Sequence, residues 1–243
     1  MIRAVTFDLW NTLVHNRNYG EFRLPRLRGF LRANGVKLDD ARLLEVYQAG
    51  FRYSSEIHRA SGRRHVHTDE IVGHVMDQVG LRGRCDWTPM VAAYEEAVLS
   101  DPPRLREGAR ETLEALRVRA RIGLISDTGT SPGRVVRRVL SDYGVLGFFD
   151  VTVFSDEVGY CKPNEVVFRL ALEALGVEPG EALHVGDLVK NDVIGAKKVG
   201  MRTAWLKTAE QEYSPEDAPD YIIPSLSEVI GIIETEDPDH EAT

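Results

Sequence analysis

Three carboxylates, a hydroxyl and a lysine stand at places in this chain where short apolar runs end. Asp8 follows Ile2–Phe7 (IRAVTF), Ser126 follows Ile122–Ile125 (IGLI), and Asp187 follows Leu183–Val185 and Gly186. Asp192 lies five residues beyond Asp187, where the next helical pattern begins. In parallel α/β sheets, ligands bind where the carboxyl ends of the strands meet loops and helix N-termini. Asp8, Asp187 and Asp192 gathered at one such edge would repel one another unless a cation sat among them. Hard oxygen donors in small number suit Mg²⁺, which keeps several waters and binds substrate phosphate. The alternative is that Asp187 and Asp192 merely cap the following helix.

The chemistry such a set could perform is phosphoryl transfer. A carboxylate is a weak nucleophile, yet it can split hydrolysis of a phosphate ester into two easier steps. A divalent cation and Lys162 would offset the repulsion between the dianion and Asp8. Phosphoryl transfer asks mainly for positioning and charge stabilisation. Ser126 could instead simply end its strand, and Lys162 could be a solvated surface charge.

The elements that would position these groups follow from periodicity. Further strands are expected at Val151–Phe154, Thr203–Leu206 and, more briefly, Tyr221–Ile223. Between them lie helical patterns at Glu107–Arg119, at Ser131-Pro132 through Leu140, and from Pro163 to Leu175 with Gly176 as its stop. Short apolar strands alternating with helices predict a doubly wound, three-layer parallel α/β sheet. Arg17 to Leu99 breaks that rhythm with four or so helical segments, including Ala41–His58 capped by Asp39 or Asp40, and Thr68–Val79 capped by Thr68 or Asp69. The chain therefore reads as a core of residues 1–16 and 100–234, a small all-helical cap at 17–99, and a polar, acidic tail at 235–243 expected to fray.

Composition narrows the class. The 243 residues are 43% hydrophobic and 28% charged, as in a soluble globular protein, and the net charge of −8 argues against general nucleic-acid binding. Cys85 and Cys161 form no disulfide framework or metal spacing and are expected as reduced thiols. The start lacks signal-peptide character and no apolar run approaches a membrane span, so a cytoplasmic protein is expected. The expected partner is a small phosphorylated molecule, with neither nucleic acid nor membrane, for a monomer or homodimer.

Four stretches, Phe7–Leu13 (FDLWNTL), Leu124–Gly129 (LISDTG), Gly159–Phe168 (GYCKPNEVVF) and His184–Ala196 (HVGDLVKNDVIGA), together resemble the haloacid dehalogenase superfamily of hydrolases. The resemblance covers nearly the whole chain except the helical insertion. It implies that Asp8 is the nucleophile, that Ser126 binds the transferring phosphoryl group, and that Lys162 neutralises it. It implies a Mg²⁺ site made by Asp8, Asp187, Asp192 and the backbone carbonyl of Trp10. Thr12 would support the nucleophile loop, and Thr12 and Asp127 fall on the substrate side of the site.

One position departs from the family. Its phosphatases usually carry a second Asp two residues after the nucleophile, as general acid and base, and here that residue is Trp10. An indole donates a hydrogen bond but cannot shuttle a proton near neutral pH. Three readings follow: a phosphohydrolase that manages without this acid, a carbon–halogen hydrolase, or a phosphate-binding protein with little turnover. The dehalogenase branch has an aromatic residue here but lacks the metal acids kept at Asp187 and Asp192. In the insertion, Arg17, Arg23, Arg26, Arg28, Arg32 and Lys37 face only Glu21, and His58, Arg59, Arg63, Arg64, His65 and His67 cluster. These are either an anion clamp or a solvated face and loop. Cys161, Trp87 and Trp205 read as packing residues.

Overall fold

The structure, a computed structural model, describes residues 1–236. Six strands, β1 (Ala4–Phe7), β2 (Arg121–Ser126), β3 (Val151–Phe154), β4 (Ala182–Gly186), β5 (Arg202–Leu206) and β6 (Tyr221–Ile223), form one parallel sheet in the order β3-β2-β1-β4-β5-β6. The expected doubly wound sheet is present. Every residue of β1 is buried, as in a strand covered on both faces, with the one polar member, Thr6, bonded to His184. The winding reverses at β1, so the crevice at the topological switch lies between β1 and β4. Asp8 and Asp187 leave the sheet on either side of that crevice.

Side chains alternate between two helical layers, because successive strand residues point to opposite faces. Val5 and Phe7 pack with Leu113 and Leu116 of α6 (Ala109–Leu116), Val136 and Leu140 of α7 (Gly133–Asp142), and Val229 and Ile233 of α11 (Glu228–Thr235). Ala4 packs on the other side with Val167, Phe168, Ala171 and Leu175 of α9 (Glu165–Leu175) and with Ala196 of α10 (Ile194–Lys198). A single turn, α8 (Ser155–Val158), follows β3.

Between β1 and β2 come α1 (Gly20–Ala33), α2 (Asp40–Ala60), α3 (Thr68–Gln78), α4 (Thr88–Glu95) and the one-turn α5 (Ala97–Ser100). They have a core of their own, built on Leu27, Leu31, Leu43, Val46, Tyr47, Val75, Met76 and Tyr94. A second cluster, in which Tyr19, Ala97 and Val98 meet Val135 and Val139, seats them against α7. None of the helices among the described residues is long and apolar enough to cross a membrane.

Several local expectations need correction. Asp39 does cap α2, accepting from Arg42 N at 2.8 Å, but α3 is capped at His67, whose N–H donates to Glu70 at 3.2 Å, rather than at Thr68 or Asp69. The α9 helix opens at Asn164, whose side chain accepts from Val166 N, so Pro163 lies just before it. The basic stretch is not one solvated face: Arg23 is buried against the Tyr19 and Tyr94 rings and donates to Tyr94 O at 3.1 Å. Arg17 pairs with both Glu21 and Asp101, and Arg28 with Asp40. Thr235 ends α11 and Glu236 accepts from Arg202 and Tyr221, whereas the rest of the expected tail, 237–243, lies outside the described residues.

Close approach of α10 to α9 fixes one glycine. A Cβ at Gly195 would lie 2.5 Å from Phe168 Cε2 and 3.0 Å from Pro163 Cα. Gly195→Ala is therefore expected to destabilise by about 1–3 kcal/mol, read as a lower urea midpoint with unchanged slope. An unchanged midpoint would show that α10 can shift to admit a methyl group.

Candidate active site

The switch-point crevice collects the candidate residues because three chain segments end there. Asp8 continues β1, and its N–H donates to Val185 O at 2.9 Å, holding the first residue past the strand in sheet register. Asp187 follows β4, and its carbonyl accepts from Trp205 Nε1 at 3.0 Å and Gln211 Nε2 at 2.6 Å. Val189–Val193 then form one wide π-type turn leading into α10, a form frequent at functional sites. That turn brings Asp192 back over Gly186 so closely that a Cβ there would stand 2.2 Å from Asp192 Cγ. Leu188 N donates to Asp192 Oδ2 at 2.9 Å.

Asp8, Asp187 and Asp192 are all buried, and one ligand atom from each lies within 4.8 Å of the others. The sequence-based grouping of these three holds in space. Lys162 is 2% exposed, so it is no solvated surface charge. Its Nζ donates to Asp8 Oδ1 at 2.5 Å and to Asp192 Oδ1 at 2.7 Å. Its backbone N–H donates to Asp127 Oδ1 at 2.9 Å, and the Asp127 carbonyl accepts from Trp10 Nε1 at 3.0 Å. Asp127 thus joins the lysine segment to the loop after Asp8, and the Trp10 N–H is already engaged.

Ser126 ends β2 beside β1, and Thr12 lies in the turn after Asp8. Both hydroxyls are buried, and neither has a hydrogen-bond partner among the described residues. Arg106 braces the same turn by donating to Thr12 O at 3.1 Å and to Asn11 O at 2.6 Å. Asn11 holds a left-handed φ of 60°, a conformation Asn tolerates better than most side chains.

The electrostatics of the cluster favour a cation. Burial pushes the Asp8 carboxyl up to about 7, against the pull of Lys162. Burial, with repulsion from Asp192, pushes Asp187 up to about 6. Burial also opposes ionisation of Asp192, but Lys162 and His184 together outweigh it and hold that carboxyl below its ordinary range. His184 is itself lowered by burial and is neutral near pH 7. The tautomer that satisfies both its neighbours carries the proton on Nε2, facing Asp192 Oδ1 at 3.3 Å, while Nδ1 accepts from Thr6 at 2.8 Å. Asp8 and Asp192 thus share one ammonium, with Asp187 beside them, and this buried all-oxygen set fits a hard divalent cation.

Sequence reasoning missed His184, Asn191 and Arg106. His184 sits inside an apolar strand, where a lone histidine reads as core, and the other two touch the site only through the fold.

A family model described as haloacid dehalogenase-like hydrolase matches residues 2–200. The chain belongs to this family. Among similar proteins is the glyceraldehyde 3-phosphate phosphatase of Pyrococcus furiosus, 30% identical over 97% of this chain and 94% of its own. A HAD phosphatase from Thermococcus onnurineus superposes with a TM-score of 0.67 at 28% identity, covering 96% of this chain and 98% of its own. A 2-haloacid dehalogenase from Pseudomonas syringae shares the fold, with a TM-score of 0.70 at 23% identity over 98% of this chain and all (100%) of its own.

In this hydrolase the wall beside Lys162 is a buried polar cluster. His65 Nδ1 lies 3.0 Å from Ser155 Oγ and 3.8 Å from Cys161 Sγ, and His58 Nε2 lies 3.7 Å from the same sulfur. Burial pushes the Cys161 thiol up to about 12, which suits a packing role. Burial lowers His65 to about 4, with the neighbouring His67 and His58 adding to the effect. An unfolded histidine titrates near 6.5, so between those values the unfolded chain binds more protons and stability rises with pH. The His65 contribution is complete above about pH 6.5 and is lost as pH falls toward 4, on the order of 3 kcal/mol in all. Replacing His65 with Gln is expected to flatten this part of the stability–pH curve, measured by urea unfolding from pH 7 to 4. Identical slopes in parent and variant would refute a neutral buried His65.

Proposed function

We propose that this hydrolase is a Mg²⁺-dependent phosphatase that works through an aspartyl-phosphate on Asp8 and acts on a small phosphorylated metabolite. The observation that carries this reading is the buried set Asp8, Asp187 and Asp192, with Lys162 Nζ bridging Asp8 and Asp192 at 2.5 and 2.7 Å. Asp8, Asp187, Asp192 and the Trp10 carbonyl would hold the cation. When bound, Mg²⁺ supplies charge neutralisation for the phosphoryl oxygens.

The chain's own residues do the rest. The Asp8 carboxylate attacks phosphorus, forming the acyl phosphate as the bond to the leaving oxygen breaks. Lys162 offsets the charge gathered between Asp8 and the substrate. The free hydroxyl of Ser126 is available to donate to a phosphoryl oxygen, and the Thr12 and Asp127 segments complete the substrate side. Residues 17–99 act as a cap over this edge. The two free cysteines suit a reducing, cytoplasmic setting.

The indole of Trp10 cannot protonate the leaving group, and its only N–H is held by Asp127. Turnover then favours leaving groups that need no proton, such as aryl and acyl phosphates. A carbon–halogen hydrolase has no evident use for three clustered acids, which weighs against that reading. Glyceraldehyde 3-phosphate, in the name of the Pyrococcus furiosus relative, is an alkyl phosphate and belongs in the alkyl arm of the test.

Phosphate release from aryl, acyl and alkyl phosphates, with and without Mg²⁺, tests the proposal. Activity should require Mg²⁺, vanish in Asp8→Asn, and fall steeply as leaving-group pKa rises, with aspartyl-phosphate accumulating. Equal rates on aryl and simple alkyl phosphates with no trapped intermediate would sink it. In Trp10→Asp, alkyl phosphatase activity should rise, with general acid–base catalysis worth at most about 10²–10⁴-fold. No rise would locate the proton donor elsewhere.

A further inference from the structure

The loop between α2 and α3 reaches the lysine-bearing segment and pairs with it edge to edge. Cys161 N donates to Arg63 O at 2.8 Å, and His65 N donates to Gly159 O at 2.8 Å. Arg64 and Tyr160 form an antiparallel bridge between them. Asn164 Nδ2 adds a bond to Gly62 O at 2.9 Å. Residues 62–65 of the helical insertion are thus stitched to residues 159–164 of the core.

Half-buried Arg63 reaches from this loop to the main chain of Lys162 and to the Asp192 turn. Its Nε donates to Lys162 O at 2.9 Å, and its Nη2 donates to Asn191 Oδ1 at 3.4 Å. One planar guanidinium therefore spans the main chain of Lys162 and the turn residue next to Asp192. Lys162 Nζ touches Asp192 in turn, so Arg63, Lys162, Asp192 and Asn191 close a ring. The Lys162 N–H is fixed by Asp127, and its carbonyl is fixed by Arg63. Arg63 also holds a left-handed φ of 72°, strained for a residue with a Cβ. Such strain persists only where surrounding contacts over-determine the conformation.

We propose that Arg63 is a positioning residue: its guanidinium holds the Lys162 backbone against the Asp192 turn and so sets the ammonium between Asp8 and Asp192. The ammonium rides on a flexible four-carbon stem, so its placement depends on where the backbone beneath it is pinned. The inference rests on the phosphatase reading above, in which Lys162 faces the transferring group. It makes the chemistry of the core depend on a residue supplied by the helical insertion.

The test uses the full chain with p-nitrophenyl phosphate and Mg²⁺, alongside calorimetric titration with inorganic phosphate. Arg63→Gly suits the left-handed turn while deleting the guanidinium, and Arg63→Lys keeps the charge but cannot span both acceptors. Both variants should lose about 10–10²-fold in kcat, with KM raised in step with weaker phosphate binding, the scale expected of a small misplacement at the reacting groups. Both should bind inorganic phosphate more weakly, and the unfolding temperature of Arg63→Gly should stay close to that of the parent. Millimolar guanidinium should restore part of the kcat of Arg63→Gly, which a merely structural role would not allow. Parental kcat in either variant, or a loss in Arg63→Gly that guanidinium does not repair, overturns the inference. If Arg63→Gly fails to fold, Arg63→Lys decides: reduced kcat and phosphate affinity support positioning, and parental values refute it. No turnover of p-nitrophenyl phosphate by the parent with Mg²⁺ would instead overturn the phosphatase reading, and the phosphate titrations would still judge Arg63.

Discussion

The ammonium of Lys162 lies between Asp8 and Asp192, sealed from water, and the architecture around it is what that placement requires. A cation taken out of solvent is tolerated only if carboxylates meet it at short range and their remaining lone pairs find donors. Asp8 can do so because β1 sits at the centre of the sheet. Asp192 can do so because a wide turn after β4 folds back over a bare glycine. His184 and Leu188 N then occupy the other sides of the Asp192 carboxylate. The lysine is therefore a keystone for both halves of the doubly wound sheet, since the segment bearing it belongs to neither β1 nor β4.

The helical insertion is attached at the same place. It leaves the core just after the turn that follows Asp8 and returns alongside it, where His15 N donates to Arg104 O at 2.9 Å and Arg106 holds the Asn11 and Thr12 carbonyls. Trp10 packs in both the main core and the seam with Tyr19 and Val139, so its ring is a wall common to the two units. Read this way, the aromatic residue next to the nucleophile is a structural joint whose indole N–H is already committed.

Much of this was legible in the sequence, and the reasons are specific. β-branched runs ending in Asp8, Ser126 and Gly186-Asp187 marked strand ends, since polar residues there have no apolar layer to enter. The spacing of Asp187 and Asp192 placed both acids near one edge. Less visible was whatever depends on chain segments meeting late. Arg63 and Asn191 are 128 residues apart and touch only because the insertion folds back onto the lysine loop. Arg23 read as one charge in a basic run, yet two tyrosine rings and the Tyr94 carbonyl draw it inside. The cap of α3 escaped notice because His67 offers its backbone N–H to Glu70, and the sequence advertises Thr68 and Asp69 more strongly.

The contact between Gly186 and Asp192 ties the fate of the acid to a residue that carries no side chain. With a hypothetical Cβ at 186 only 2.2 Å from the carboxylate carbon, any side chain at the first position evicts the acid from the second. The two positions are therefore coupled: a side chain at 186 requires the carboxylate at 192 to move. A side chain at 186 would thus undo the placement of Asp192, and with it one side of the Lys162 ammonium, with neither residue itself replaced.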